Sequence, residues 1–361
     1  MRAEHALIGW DVGGAHLKAC LMQHGAVLDV AQWVCPLWQG LAQLDAALEQ
    51  ANARWPGLAQ AAHVVTMTGE MVDCFADRED GVRRIAAHLA ARLGAQLAFF
   101  AGDHGWVDAA QVAAHWEHIA SANWLATARH VAMWAHSRRG VGLLVDVGST
   151  TTDLVAFRDG RVLSRSRSDA QRLACGELVY QGVVRTPLCA LAPRIALQGT
   201  VFNVMNEFFA TTADVYRLSG ELNPAHDLHP AADGAAKDLA SSRQRLARMV
   251  GLDARDAAPQ DWQAFAQAWR SAQVAEIAGQ LQRVCTAHDI PADACVVSAG
   301  CGAFLVPDVL DAAGLAQKAK ALAYGTEVVQ CAAAAGPTVV PWVQVCAPSV
   351  AVAALYQDER R

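Results

Sequence analysis

One local pattern, used twice, constrains this chain more than any other feature. Ile8-Gly-Trp-Asp-Val-Gly-Gly-Ala-His-Leu-Lys-Ala19 and Gly142-Leu-Leu-Val-Asp-Val-Gly-Ser-Thr-Thr-Thr-Asp-Leu-Val-Ala-Phe157 each read as a strand, a tight Asp-x-Gly turn and a second strand. Gly13, Gly14 and Gly148 permit sharp turns and close backbone approach. Ser149, Thr150, Thr151 and Thr152 set hydroxyls beside exposed amides, a combination suited to phosphate oxygens. Asp146 and Asp153 bracket that loop, and carboxylates near phosphates point to Mg²⁺. A third piece, Val296-Val-Ser-Ala-Gly-Cys-Gly-Ala-Phe304, is an apolar strand running into Gly300-x-Gly302.

A chain of 361 residues has room for two domains, and 53% hydrophobic against 18% charged residues is a composition that buries a core. The net charge of −6 and the lack of a basic stripe argue against a nucleic-acid partner. The opening residues carry no signal-peptide core, and Gly336, Pro337 and Pro341 interrupt the apolar tract after Cys331. Ten cysteines without a C-x-x-C pair fit reduced, buried thiols. The expectation is a cytoplasmic protein with no membrane partner.

Periodicity predicts strands at 6–12, 15–23, 26–34, 62–67, 96–100, 161–166, 196–202 and 294–298. It predicts helices at 38–55, 80–93, 106–113, 120–136, 241–249, 262–288, 327–335 and 349–356. The twofold reuse of the loop pattern predicts two similar α/β domains flanking a cleft: residues 1–140, and residues 141–361 with a helical insertion around 205–290.

Asp11 and Asp146 are the first functional candidates, since either alone could be a turn acceptor but the two share one context. Lys18 could reach a phosphate as a point charge or could be a solvated edge residue. Asp153, directly after the hydroxyl loop, is the first choice for a general base, ahead of Glu177; Glu70, Asp73 and Glu207 also read as helix N-terminal acids. His115-x-x-His118 and His226-x-x-His229 have zinc-ligand spacing but sit in no recognisable zinc motif, and packing or surface histidines are the preferred reading.

The ordered trio of two Asp-x-Gly loops and a late Gly-x-Gly resembles the superfamily of actin, the heat-shock chaperones and the sugar and acetate kinases. Within it, the Ile8–Ala19 run, Met67-Thr-Gly-Glu-Met-Val-Asp73, Ser121-Ala-Asn-Trp-Leu-Ala-Thr-Ala128 and Gly182-Val-Val-Arg-Thr-Pro187 resemble the hydantoinase/oxoprolinase-related group. They are most similar to its tetrahydromethanopterin-linked C1-transfer branch, which is similar to the archaeal methanofuran-biosynthesis synthase. The superfamily resemblance implies an actin-like fold in which Asp11 and Asp146 hold Mg²⁺ on a phosphate chain. The narrower one implies alkyl transfer: a furan-methyl diphosphate joined to a tyramine- or tyrosine-type phenol, with diphosphate released. Gly13, Gly14, Gly148, Ser149, Thr150 and Thr151 would then hold diphosphate. The Gly300-Cys-Gly302 loop leaves ATP binding open, and with it a small-molecule kinase or an ATP-dependent hydrolase.

Overall fold

In the computed structural model, residues 6–94, 96–136, 140–315 and 321–360 are described. Strands β1 (Leu7–Val12), β2 (His16–Gln23) and β3 (Ala26–Val34) form an antiparallel meander. Helix α1 (Ala42–Arg54) then leads to β4 (Ala62–Met67), and α2 (Arg78–Leu93) to β5 (Leu97–Phe100). β4 pairs parallel with β1, and β5 parallel with β4. Short β6 (Trp106–Val107) closes the order β3-β2-β1-β4-β5-β6.

β1 is buried along its whole length because both faces are covered. Alternation sends Ile8, Trp10 and Val12 into one core with Leu44, Leu48, Val82, Ile85 and Leu89 of α1 and α2. Gly9 and Asp11 point to the other face. There α12 (Ala347–Asp358) comes so close that a Cβ on Gly9 would sit 2.1 Å from Ser349 O and 2.9 Å from Ala353 Cβ. Glycine at 9 and small residues at 349 and 353 are what let this helix seat on the sheet.

That docking corrects the expected domain boundary. The first compact unit comprises Met1–Gly142, Phe157–Arg172 and Leu322–Arg361; the second comprises Leu143–Ala156 and Leu173–Ala321. A single cut between residues 140 and 141 misplaces the C-terminal segment, because α12 finds its apolar partners on β1, β4 and α4 (Asn123–His136).

In the first unit, α3 (Val112–Ile119) begins later than the helix expected at 106–113. Trp106 and Val107 pair with β5, and Asp108 Oδ1 accepts from the N–H groups of Ala110 and Gln111, so the turn is spent before the helix starts. The helix expected at 327–335 is absent. One π turn, Tyr324–Val328, gives way to backbone that exchanges hydrogen bonds with Val27 on β3, at Gln330 O (3.0 Å) and Ala332 N (2.8 Å). Pairing with a sheet edge overrides alanine's helix propensity there.

In the second unit, β7 (Val141–Val147), β8 (Thr152–Arg158), β10 (Leu178–Val179) and β13 (Cys295–Ala299) run in the order β10-β8-β7-β13. The strand expected at 161–166 shrinks to β9 (Arg161–Val162), which belongs to the first unit. After α5 (Asp169–Cys175) and α6 (Leu188–Leu191), the strand expected at 196–202 is instead a hairpin, β11 (Arg194–Leu197) and β12 (Thr200–Asn203). Gln198 (φ 48°) and Gly199 (φ 78°) are both left-handed, the conformation a two-residue hairpin turn demands. Helices α7 (Thr212–Ser219), α8 (Leu239–Arg248) and α9 (Pro259–Ala287) make up the expected helical region, followed by α10 (Val306–Ala312) after β13. α9 buries Trp262, Phe265, Trp269, Ile277, Leu281 and Val284 at helical spacing.

No single described helix is long and apolar enough to cross a membrane; α11 (Val339–Val345) and α12 together are, but they meet at 93°. All ten cysteines are free thiols.

The first core carries a pH liability. Trp10 Nε1 donates to His63 Nδ1 (3.1 Å), so the buried imidazole must be neutral, and burial pushes it down to about 4. The unfolded histidine binds a proton near pH 6.5 and the folded one does not until about 4. Stability contributed by neutral His63 is therefore complete above pH 6.5 and falls as the pH drops toward 4, by about 3 kcal/mol. Urea titrations at pH 7 and pH 4.5 should show a smaller difference for His63→Leu than for the wild type; an equal difference would refute this.

Candidate functional site

The first loop hangs from β1 and β2. Asp11 and Lys18 are cross-strand partners, and Lys18 Nζ lies 4.0 Å from Asp11 Oδ2. The Lys18 side chain is therefore turned toward the loop's carboxylate and is 20% exposed. Thr66, the partner of Asp11 on β4, continues the same row. It is fully buried, and its Oγ1 has no hydrogen-bond partner among the described residues. A buried hydroxyl left over beside a buried carboxylate is what a polar ligand site retains. Sequence reading missed Thr66, because nothing in an isolated strand marks the register that sets it beside Asp11.

Gly13 N donates to His16 O (3.0 Å) and Leu37 N to Gly14 O (2.9 Å), which folds the turn tightly. The Met67–Asp73 run closes over it: Thr68 N donates to Val12 O (2.9 Å), and a Cβ on Gly69 would meet Leu37 Cδ2 at 2.8 Å and Val12 O at 3.1 Å. Thus the resemblance motif around Gly69 serves as the wall of the Gly13 loop.

Its next residue joins another motif. Glu70 Oε1 accepts from Ser121 Oγ (2.8 Å), and the same hydroxyl lies 3.1 Å from Asp169 Oδ2. Glu70 is 1% exposed, and burial, offset in part by the Ser121 hydrogen bond, raises its pKa. The nearby Asp169 carboxylate acts in the same direction as burial. Asp73, by contrast, is exposed, as is Glu207 in the second unit, so neither is a buried acid poised for chemistry.

The second loop is the more elaborate. Gly148 N donates to Thr151 O (2.8 Å). The Gly182–Pro187 run lies on it: Val183 N donates to Gly148 O (3.0 Å), and Val184 N and Arg185 N both donate to Ser149 O (3.1 and 2.8 Å). Only glycine fits at 182, where a Cβ would be 2.4 Å from Ser149 C and Thr150 N. Gln273 of α9 holds this run by donating from Nε2 to Gly182 O (2.9 Å), and Tyr216 OH of α7 donates to Gln273 Oε1 (2.6 Å). Thr152 Oγ1 points away to Gln181 O (2.8 Å), so the hydroxyls left to the loop are those of Ser149, Thr150 and Thr151.

The late glycine pair belongs to the same place. Gly300 has φ 84°, and a Cβ there would be 2.1 Å from Val147 O and 2.5 Å from Asp146 Oδ1. Gly302 N donates to Val147 O (2.7 Å). The Gly300–Gly302 turn is thus built against the buried carboxylate of Asp146 and the end of β7. Asp153 is half-buried on β8 opposite Leu178 of β10, the residue that follows Glu177. Glu177 is 3% exposed and lies 3.2 Å from His288 Nε2, a partner that sequence spacing could not supply.

His115 and His118 gather with His104, whose ring centroids lie 5.5 and 3.9 Å from theirs. Among the described residues no group of three or more His, Cys, Asp or Glu side chains could hold a metal ion.

Two α/β units, each hung on a strand–Asp-x-Gly–strand loop, with a meander followed by parallel β4 and β5, define an actin-like α/β protein. The chain belongs to the hydantoinase/oxoprolinase family, whose model matches residues 61–336. It is 29% identical over 247 residues, covering 68% of this chain and 72% of the relative, to (4-{4-[2-(γ-L-glutamylamino)ethyl]phenoxymethyl}furan-2-yl)methanamine synthase of Methanocaldococcus jannaschii. It is 35% identical over 111 residues, 31% of this chain and 50% of the relative, to the protein of the same name in Methanococcus vannielii. Nucleotide-free acetone carboxylase superposes with a TM-score of 0.56 at 12% identity, covering 86% of this chain and 67% of that one, a likeness of fold.

Proposed function

We propose that this chain is a synthase of methanofuran-type cofactor biosynthesis, which joins an aminomethyl-furanmethyl diphosphate to the phenol oxygen of a tyramine- or tyrosine-type acceptor. The observation that carries this is the Gly148–Thr151 hydroxyl loop under its Gly182–Thr186 cover, in a chain similar to synthases named for a phenoxymethyl-furan ether. The bond formed is phenol O to furan CH₂; the bond broken is CH₂ to diphosphate oxygen, and the phenol proton goes to a base.

The furan ring oxygen spreads positive charge from the CH₂ carbon, so departure of diphosphate is the step in need of help. Amides and hydroxyls fixed at Ser149, Thr150 and Thr151 are suited to the growing negative charge. Their preorganisation comes from the carbonyls of Gly148 and Ser149 being tied by the cover. The acceptor phenol has a pKa of about 10, so a carboxylate must take its proton. Asp153, half-buried on β8 just past the loop, remains the first choice, and Glu177, engaged with His288, the second.

Asp11 and Asp146 offer buried carboxylate oxygen, and Thr66 and Thr150 hydroxyl oxygen, the hard donors that suit Mg²⁺. Mg²⁺ held at either carboxylate would neutralise phosphate charge. Asp11→Asn and Asp146→Asn should each abolish Mg²⁺-dependent diphosphate binding in calorimetry while the circular dichroism spectrum stays that of the wild type. Undiminished binding in both variants would remove these carboxylates from the site. A cytoplasmic location, with no nucleic-acid or membrane partner, accompanies this reading.

One observation favours a second reading. The Gly300–Gly302 turn against Asp146 suits a nucleotide, as in an ATP-dependent small-molecule kinase or hydrolase. The experiment is to incubate purified protein with Mg²⁺, the furan diphosphate and tyramine or tyrosine derivatives, and to measure ether and diphosphate. Stoichiometric ether and diphosphate without ATP is the expected result. No ether with any phenol, alongside ATP hydrolysis or acceptor phosphorylation, would transfer the assignment to the second reading.

A further inference from the structure

The cover over the hydroxyl loop brings a charge that the loop itself lacks. Between Gly148 and Thr152 there is no cationic side chain, although a diphosphate brings several negative charges. Arg185 comes into contact with this loop twice: its N–H donates to Ser149 O (2.8 Å), and its Nη1 lies 3.5 Å from Thr150 Oγ1. Main chain and guanidinium therefore both address the loop. The anchoring is rigid, since Gly182, three residues earlier, packs on the backbone of Ser149 and Thr150 and is held by the buried Gln273. Among the described residues the N–H groups of Ser149 and Thr150 meet no protein acceptor, so the edge beside Arg185 presents donors.

We propose that Arg185 is the cation of an oxyanion site at Gly148–Thr151, where its guanidinium binds a phosphate oxygen of a diphosphate-bearing ligand together with the Ser149 and Thr150 amides. The assignment rests on reading the hydroxyl loop as the diphosphate site, and it holds for a furan diphosphate and for a nucleotide alike. A planar guanidinium presents two parallel N–H groups, which a diphosphate can engage in bidentate fashion and a lysine cannot reproduce. Burial alone lowers the basicity of this guanidinium, and an arriving anion restores the balance by favouring the charged form. The same residue would stabilise diphosphate as a leaving group, because negative charge on the bridging oxygen grows as the C–O bond breaks.

The test uses inorganic diphosphate with Mg²⁺ as the probe, titrated calorimetrically into the wild type, Arg185→Gln and Arg185→Lys. Affinity is expected to fall at least about tenfold in Arg185→Gln and by a smaller factor in Arg185→Lys. In parallel, the wild type is treated with phenylglyoxal, and modification of Arg185 is read by peptide mass spectrometry with and without saturating diphosphate. Protection of Arg185 by diphosphate is expected, and this arm needs no variant to fold. Arg185→Gln binding diphosphate within twofold of the wild type, or Arg185 modified equally fast in its presence, would overturn the proposal while leaving the loop assignment in place. A wild type that binds neither inorganic diphosphate, the furan diphosphate nor ATP would overturn the loop assignment and Arg185's role with it.

Discussion

Replacing Gly300 by alanine is expected to abolish turnover and to lower the thermal midpoint by several degrees. Two costs combine at this position. Its φ of 84° strains any residue with a Cβ, at about 1–2 kcal/mol. The added carbon would also overlap Val147 O at 2.1 Å and Asp146 Oδ1 at 2.5 Å, and the backbone neighbour cannot swing aside as a flexible side chain can. Overpacking of this kind costs about 1–3 kcal/mol more. Relief requires the end of β7 to move, carrying Asp146 with it, so activity suffers beyond stability. Gly314→Ala separates the two costs, because Gly314 has φ 76° and nothing within 4 Å of its would-be Cβ. It should lose only the conformational share and keep full turnover. Melting curves and turnover of the two variants decide: if Gly300→Ala melts and turns over like Gly314→Ala, the close approach to Asp146 has no functional weight.

The second large effect lies in the helical part of the second unit. Asp214 Oδ1, 2% exposed with its residue, accepts from Arg245 Nε (2.9 Å) and Nη2 (2.7 Å), Arg217 Nη1 (3.0 Å) and Ser242 Oγ (2.8 Å). Arg245 is completely buried. Asp214→Ala leaves that buried guanidinium with the partly exposed Asp233 carboxylate and the neutral acceptors Ala236 O and Ser242 Oγ, and the expected loss is about 3–5 kcal/mol. Desolvation of both ions is what makes the pair costly to break and cheap to replace. The double variant Asp214→Leu/Arg245→Met should therefore recover most of the lost stability in urea unfolding. A double variant no more stable than Asp214→Ala would show that the network holds α7 to α8 by more than its charge balance.

The local parts of the fold could be read from residues, since their causes are local. Ala62–Met67 is a strand over the expected range, and α12 lies where apolar spacing after Pro348 indicates a helix. Both Asp-x-Gly turns and the Gly300–Gly302 turn are found where glycine spacing places them. Segments with distant partners depart from their local pattern. The alanine-rich stretch after Tyr324 looks helical until β3 offers its edge at Val27. The run at 196–202 looks like one strand because the left-handed pair Gln198–Gly199 contains only a single glycine to signal the turn.

The candidate site divides along the same line. Asp11, Gly13, Gly14, Asp146, Gly148, Ser149, Thr150 and Thr151 are legible because the loop chemistry is contiguous in the chain. Thr66, the Glu70–Ser121–Asp169 contact and the Glu177–His288 pair are not, since each joins residues that only sheet register or helix packing makes neighbours. Arg185 falls between these cases. It stands within the Gly182–Pro187 run, the signal that could have singled it out, yet only the hydrogen bonds to Ser149 turn a motif residue into a loop neighbour.

By itself, then, the sequence determined the repeated strand–turn–strand loops and the buried character of the strands beneath them. These follow from side-chain type, glycine freedom and period-two alternation, which act over a few residues. Only the tertiary structure decided that the C-terminal helix returns to the first sheet, which needs Gly9 to meet Ser349 and Ala353 across most of the chain's length. It likewise decided that Lys18 faces Asp11, and that Arg185 meets the hydroxyl loop at Ser149 O. Such pairings depend on register and close packing between distant segments, and no spacing in one dimension encodes them.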